Sequence, residues 1–514
     1  MDYIQLVEDF IFFAHNHLDL DELDMVYARN RLYDELNVYP KNELPKPIKR
    51  DVNYFVARFT SHYKKLKKDK TGVAVLDITM PRMNGYEVLR ELKKDKTTID
   101  INISRLFDIV SPRPSEVSKK FNSLIKKNPK LATSYLYNLG VNNYYVHLKD
   151  INRNKVWEAH FKKGPALEIS INLSKPEKNN KDIAKLIGAK DINYPKCVIC
   201  EENLGFAGNA KKAPRHNIRI APLKLNHEDW FMQYSPYGYF TEHMILVSKK
   251  HTPMEISSRI FKLMFSALDT FPHYTITSNA DLPIVGGSIL NHEHFQCGNY
   301  LFPLQKAKDL FVIKSSKYKK TKISFLNFYN TAFRLKGKDK DQIIEIASLF
   351  LKKWRSYSDY DLGISARHNT ITPLMRINPN GEYEMILILR CNSTSKEYPD
   401  GIFHVHPEYF AIKQEGIGVI EACGRFILPA RLIRQIKEVE YVVDHKLNKK
   451  DYLKKYPDLV NFTHMINTLK SHPKMGSKEY INEVGRNILL NTSVFKKDKK
   501  GFTHLRSFIK TLRF

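Results

Sequence analysis

A chain of 514 residues, 42% hydrophobic and 12% aromatic, has enough apolar surface for two or three domains, or for one large core built on a duplicated unit, which excludes general disorder. Its formal net charge of +28 admits nucleic acid or a small anionic substrate as partner, or reflects only a lysine-rich proteome. The lysines fall in scattered runs such as KKLKKDK, SLIKKNPK and FKKDKK, which read as solvated surface, and no stretch reaches the roughly 20 apolar residues of a membrane span.

The first segment, MDYIQLVEDFIFFAHNHLDLDELD, has an apolar patch, no basic start and acids close behind, so it reads as an amphipathic helix rather than a leader. The cytoplasm is the expected compartment. Residues 1–185 read mainly as helices, with apolar positions three and four apart in PSEVSKKFNSLIKKNPKLATSYLYNLGV and KDIAKLIGAK, and LEISINLSKP as a strand. Within them, about residues 71–96, AVLDITMPRMNGYEVLRELKKD resembles the stretch around the phosphoacceptor aspartate of receiver domains, with Asp77 in the acceptor place. The acidic pair and lysine of a receiver are not found, and near-identical KKDKT runs bracket the segment as they would an insertion. A strand–turn–helix without signalling function is the expectation.

From Cys197 the pattern turns to short β-rich runs, RIAPLKL, MILVSKK and TITSN, with helical periods at EISSRIFKLMFSALDTF and DQIIEIASLFLKKWRSY. EYEMILILRCN alternates as a strand, and the tail from Leu428 is helical and basic. The fold class is α+β, with bodies at 186–310 and 311–514 behind the helical region.

Chemistry concentrates in DLPIVGGSILNHEHFQCG. Gly286 and Gly287 let backbone N–H groups approach an oxyanion, and on a strand His292, His294 and Gln296 would share one face. An imidazole can attack phosphorus while the amide donates to the developing charge. Two histidines alone would read as surface or core; the glycine turn and glutamine in register weigh against accident. Arg215 and Arg219 could pair with diphosphate oxygens, or be surface arginines. Five cysteines do not suggest a disulfide framework, but Cys197 and Cys200 have metal-ligand spacing; a redox reading finds no thioredoxin-like context. His404 and His406 form a second pair, read first as buried or surface histidines.

HEHFQ is similar to the active-site H-x-H-x-Q of galactose-1-phosphate uridylyltransferases, relatives of the histidine-triad nucleotide-binding proteins. CVICEENLGFAG, NIRIAPLKL, FMQYSPYGYFTEHMILVSKKHTPM, SNADLPIVGGSIL and GIFHVHPEYFAIKQEGIGVIEACGRFILPARL resemble the class II branch, and the likeness runs from about residue 100 to the C-terminus. It implies two histidine-triad-like halves with antiparallel sheets, the first carrying the nucleophile. It also implies exchange of UMP between UDP-glucose and galactose 1-phosphate through a covalent uridylyl-histidine. Carried over by motif, His294 is the nucleophile and Gln296 holds the phosphate oxygens, with Ser288 and Asn279 near family residues that contact phosphate and histidine. The family's zinc site implies Cys197, Cys200 and His292; its fourth ligand falls at Ser235, and His243 could substitute. A second family metal site would use His404, His406 and His368, but its glutamate place holds Gln305; Lys413 and Glu421 could contribute to sugar-phosphate binding. Zinc is thus a candidate metal, no organic cofactor, membrane or nucleic acid is expected, and a homodimer is admitted. Other readings are a dinucleoside-polyphosphate phosphorylase on the same fold, or a basic nucleic-acid-binding regulator, which leaves HEHFQ without a role.

Overall fold

The computed structural model describes every residue except 1, 21, 37, 39–43, 67–95, 175–194 and 209–211, so the receiver-like segment and KDIAKLIGAK lie outside the described residues. The chain divides into two units, residues 1–149 with 178–223 and 231–238, and residues 150–177 with 224–230 and 239–514.

The first unit is mostly helical: α1 (Tyr3–His17), α2 (Glu22–Glu35), α3 (Val52–Leu66), α4 (Lys96–Ile109), α5 (Pro114–Lys127) and α6 (Pro129–Asn142). The apolar stripe of α1 places Phe10 at the centre of a ring cluster, with centroids 4.8 Å from Phe55, 5.1 Å from Phe59 and 4.9 Å from Phe107. All four rings are fully buried. The long helical run read at PSEV…NLGV is two helices. Asn128 precedes a proline, whose ring disfavours helical backbone at the preceding residue, and it sits extended at φ −162°. Its side chain caps α6 by accepting from the Lys130 N–H at 2.8 Å.

In the second unit, β1 (Lys155–Ala159) and β2 (Leu167–Asn172) are antiparallel, and the late strand β13 (Arg425–Pro429) joins β2 in parallel. Behind this small sheet pack helices of the tail, α9 (Leu432–Asp444), α10 (Lys449–Lys455), α11 (Thr463–Ser471) and α12 (Ser477–Thr492), whereas the last helix, α13 (Lys499–Thr511), sets Phe508 against Phe333, Phe350 and Trp354. Ile481, Val484 and Ile488 of α12 belong to the same buried cluster as Ile169 and Phe426.

The main sheet has ten strands: β3 (Ala221–Leu225), β4 (Glu228–Tyr234), β5 (Met244–Ser248), β6 (Thr275–Thr277), β7 (His294–Gly298), β8 (Asp309–Ile313), β9 (Thr321–Leu326), β10 (Ala332–Gly337), β11 (Asn369–Ile377) and β12 (Tyr383–Cys391). Their order is β3-β4-β5-β7-β6-β11-β12-β10-β9-β8. Read inward from either edge, the order is the same: three strands in succession, then the fifth of the half, then the fourth. In each half a helix follows the third strand, α7 (Ser258–Thr270) in the first and α8 (Lys340–Arg355) in the second. The two α/β halves expected from the sequence are therefore a structural duplication within one sheet. The seam is short: β6 meets β11 through Leu374 opposite Thr277 and Met375 opposite Ile276. Each helix buries one stripe, Phe261, Met264 and Leu268 in α7 and Ile343, Phe350 and Trp354 in α8. Among the described residues, no helix is long and apolar enough to cross a membrane.

Candidate functional site

The strand β7 is central in the first half, with β5 on one side and β6 on the other. It begins at His294, two residues later than a strand carrying both histidines would require. His294 and Gln296 are two apart on β7; His292 precedes it in a bend, so the expected three-residue face is a two-residue face. Backbone pairing fixes this change: the Glu293 N–H donates to Thr252 O at 2.8 Å, and Glu293 O accepts from the Ser248 N–H at 3.0 Å. On the opposite face Phe295 stacks on Trp230, with centroids 5.0 Å apart and planes 7° from parallel.

His294 is buried, and its Nδ1 lies 2.8 Å from His292 O. A carbonyl oxygen only accepts, so Nδ1 carries the proton and the lone pair is on Nε2. That tautomer is the one a nucleophilic imidazole needs, and the main-chain contact at Nδ1 fixes the ring that presents Nε2. Gln296 accepts at Oε1 from His243 Nε2 at 3.2 Å, and its backbone oxygen accepts from Thr277 Oγ1 at 2.8 Å.

The loop before β7 is held from several directions. Asp281 accepts from the Ile256 N–H at 2.8 Å and pairs with Arg355 at 2.7 Å; the Thr370 hydroxyl also donates to it. Asn279, fully buried, accepts from the Val419 N–H at 2.9 Å. A Cβ on Gly287 would stand 2.6 Å from Asn279 Nδ2, so only glycine fits there. Asn279 thus lies against the Gly-Gly turn, and Ser288 follows it with no side-chain hydrogen bond among the described residues.

Cys197 and Cys200 are 3.3 Å apart at sulfur, and the shared thiol contact, with burial, pushes the Cys200 thiol up. His251 and His292 face each other with ring centroids 4.2 Å apart, and His292 Nε2 is 2.8 Å from Ser248 O. Cys197, Cys200, His251 and His292 form a group, with ligand atoms all within 4.8 Å of one another, that could hold a metal ion. The fourth member of this group is His251, in KKHTPM, and neither Ser235 nor His243 belongs to it. Nothing local in the sequence marks His251. The donor set fits zinc: a tetrahedral ion with two thiolates and two imidazoles needs ligand atoms about 3.3–3.8 Å apart, and a ligand histidine normally donates its other ring N–H to a carbonyl, as His292 does.

The two arginines differ. Arg219 is buried, with Nε donating to Pro112 O at 2.6 Å, Nη1 to Ile218 O at 2.9 Å and Nη2 to Asp108 at 2.9 Å. Its guanidinium is committed to the SPRP turn and the end of α4, so the diphosphate role expected for it is replaced by a structural one. Arg215 is half-buried, and among the described residues its side chain donates a hydrogen bond from Nη1 alone, to Pro214 O at 3.3 Å. His404 and His406 do not form a second metal group among the described residues. His404 is buried, with burial pushing its pKa down to about 4, while His406 stacks on Tyr398 at 4.0 Å and His368 pairs with Asn392 at 2.7 Å. Lys413 and Glu421 pair with each other at 3.1 Å.

Glu293, between the two histidines, is 2% exposed and takes both Arg259 nitrogens at 2.9 Å, while Arg259 also reaches Glu228 on β4. This clamp ties the start of β7 to α7. Arg259→Ala leaves a buried carboxylate unpaired and is expected to cost about 2 kcal/mol, tempered by the partial exposure of Arg259. Glu293→Gln, which keeps a neutral acceptor, should cost less by thermal denaturation; equal losses would contradict the clamp.

Residues 59–253 match the family model described as galactose-1-phosphate uridyl transferase, N-terminal domain. Relatives named galactose-1-phosphate uridylyltransferase include those of Caldanaerobacter subterraneus subsp. tengcongensis, 38% identical over 99% of this chain and 98% of that protein, and Lactococcus lactis subsp. lactis, 38% identical over 99% and 100%. The Staphylococcus carnosus protein of the same name is 39% identical over 86% of this chain and 89% of its own length.

Proposed function

We infer the reaction from one premise: the chain belongs to the galactose-1-phosphate uridylyltransferase family. It is an enzyme, a nucleotidyltransferase of galactose metabolism, which by this reading works in the cytoplasm. The observation that carries the mechanism is the 2.8 Å contact of His294 Nδ1 with His292 O, which leaves the lone pair on Nε2. Nε2 of His294 attacks the α-phosphorus of UDP-glucose; the bond from that phosphorus to the bridging oxygen breaks, and glucose 1-phosphate leaves with the electron pair. The product is a uridylyl-imidazolium whose Nδ1–H still donates to His292 O, so a fixed carbonyl dipole faces the new positive charge. A phosphate oxygen of galactose 1-phosphate then attacks the same phosphorus, the N–P bond breaks, and UDP-galactose leaves with the imidazole regenerated. No net proton is exchanged with solvent.

Gln296 donates its amide hydrogens to the uridylyl phosphate oxygens, and the Gly286–Gly287 turn with Asn279 and Ser288 shapes the phosphate cradle. Of the two candidate arginines, Arg215 is the one with donors left for a diphosphate among the described residues. Cys197, Cys200, His251 and His292 would hold one zinc ion with all four positions taken by protein, which suits a structural ion that braces the residue just ahead of the nucleophile.

Incubating the purified chain with UDP-glucose alone should add one UMP per chain, seen by intact mass and lost in acid, with release of one glucose 1-phosphate. A chain that never gains that mass, under conditions where it converts both sugar phosphates, would rule out the covalent route.

A further inference from the structure

We propose that His243 is a positioning residue that locks the Gln296 amide with its –NH2 group turned toward the reacting phosphate. The inference rests on the reading of β7 as the uridylyl-transfer strand, and adds a residue that neither the motif nor the zinc ligand set includes. His243 stands immediately before β5 and is 3% exposed. Its Nδ1 faces the Tyr239 backbone N–H at 3.5 Å, and its Nε2 lies 3.2 Å from Gln296 Oε1. A backbone N–H only donates, so Nδ1 accepts and Nε2 carries the proton; Oε1 of Gln296 must then be the acceptor. The two ends of a glutamine amide are nearly the same size, so packing cannot choose between them. His243 makes that choice. The flipped amide would set –NH2 against the Nε2–H of His243 and turn Oε1, an acceptor, toward phosphate oxygens that are themselves acceptors. Burial pushes His243 down to about 3, so the ring is neutral at neutral pH and the lock holds without a buried charge. The ring itself is held 4.4 Å from Phe240 and 5.3 Å from Tyr239.

The test is single-turnover labelling of the full chain with UDP-glucose, comparing wild type, His243→Gln, His243→Met, Gln296→Ala and the His243→Met/Gln296→Ala pair. His243→Gln keeps an amide N–H that can donate to Oε1 and should label within about threefold of wild type. His243→Met, of similar bulk but with no donor, should label about tenfold more slowly with KM for UDP-glucose changed less than about threefold. In the Gln296→Ala background, His243→Met should cost nothing further, because the group it positions is gone. Equal rates for the Gln and Met variants, or losses that add in the double variant, would overturn the proposal. A wild type that gains no UMP would overturn the reading of β7 beneath it instead.

Discussion

His294→Asn is expected to gain no UMP from UDP-glucose and to lose about 10⁴-fold or more in turnover, because removing the nucleophile of a covalent route removes the route itself. An amide has no lone pair of comparable nucleophilicity to present at phosphorus. The variant should still fold, since the strand is held by backbone pairing to β5 and β6 and by the Phe295–Trp230 stack on the other face. Binding of UDP-glucose, followed by calorimetry, should survive within about tenfold, which separates lost chemistry from lost structure. Gln296→Ala sets the scale for a residue that only assists: about 10²-fold slower, with the adduct still formed. If His294→Asn turned over at a rate near that of Gln296→Ala, the nucleophile would have to be sought elsewhere.

The second large effect concerns the four sulfur and nitrogen donors. The purified chain should carry about one zinc ion, and Cys200→Ser or His251→Asn should lose it. Because the ion would be bound by the folded chain alone, its free energy of binding adds to stability, and its loss is expected to cost about 3 kcal/mol or more and lower Tm accordingly. His243→Met should retain the metal in full, which distinguishes a site completed by His251 from one completed by His243. Cys200→Ser with unchanged metal content and unchanged Tm would remove zinc from the account.

Much of this was legible in the residues, for reasons that differ by element. β7 and its glycine turn stand out because a phosphate site needs particular atoms at short spacing, and such needs leave marks in a contiguous run. The strands Met244–Ser248 and Tyr383–Cys391 and helices α7 and α8 follow from apolar periodicity. His251 left no such mark: it lies 41 residues before His292, and only pairing of β5 with β7 brings its loop beside the bend at His292. The role of Arg219 was equally hidden, since a buried arginine spent on Pro112 and Asp108 looks the same in sequence as one aimed at a diphosphate. The helix break at Asn128 was present in the sequence as an Asn-Pro pair and was outweighed by periodicity on both sides.

The repeated strand order has a consequence for how the chain tolerates change. β12 occupies in the second half the place that β7 occupies in the first, yet Met385, Ile386, Leu387, Ile388 and Leu389 there are all buried apolar side chains with no imidazole or amide among them. A mutational scan of the two strands should therefore leave two different signatures: at His294 and Gln296, inactive protein that still melts normally, and along β12, protein whose activity declines only as far as its melting temperature does.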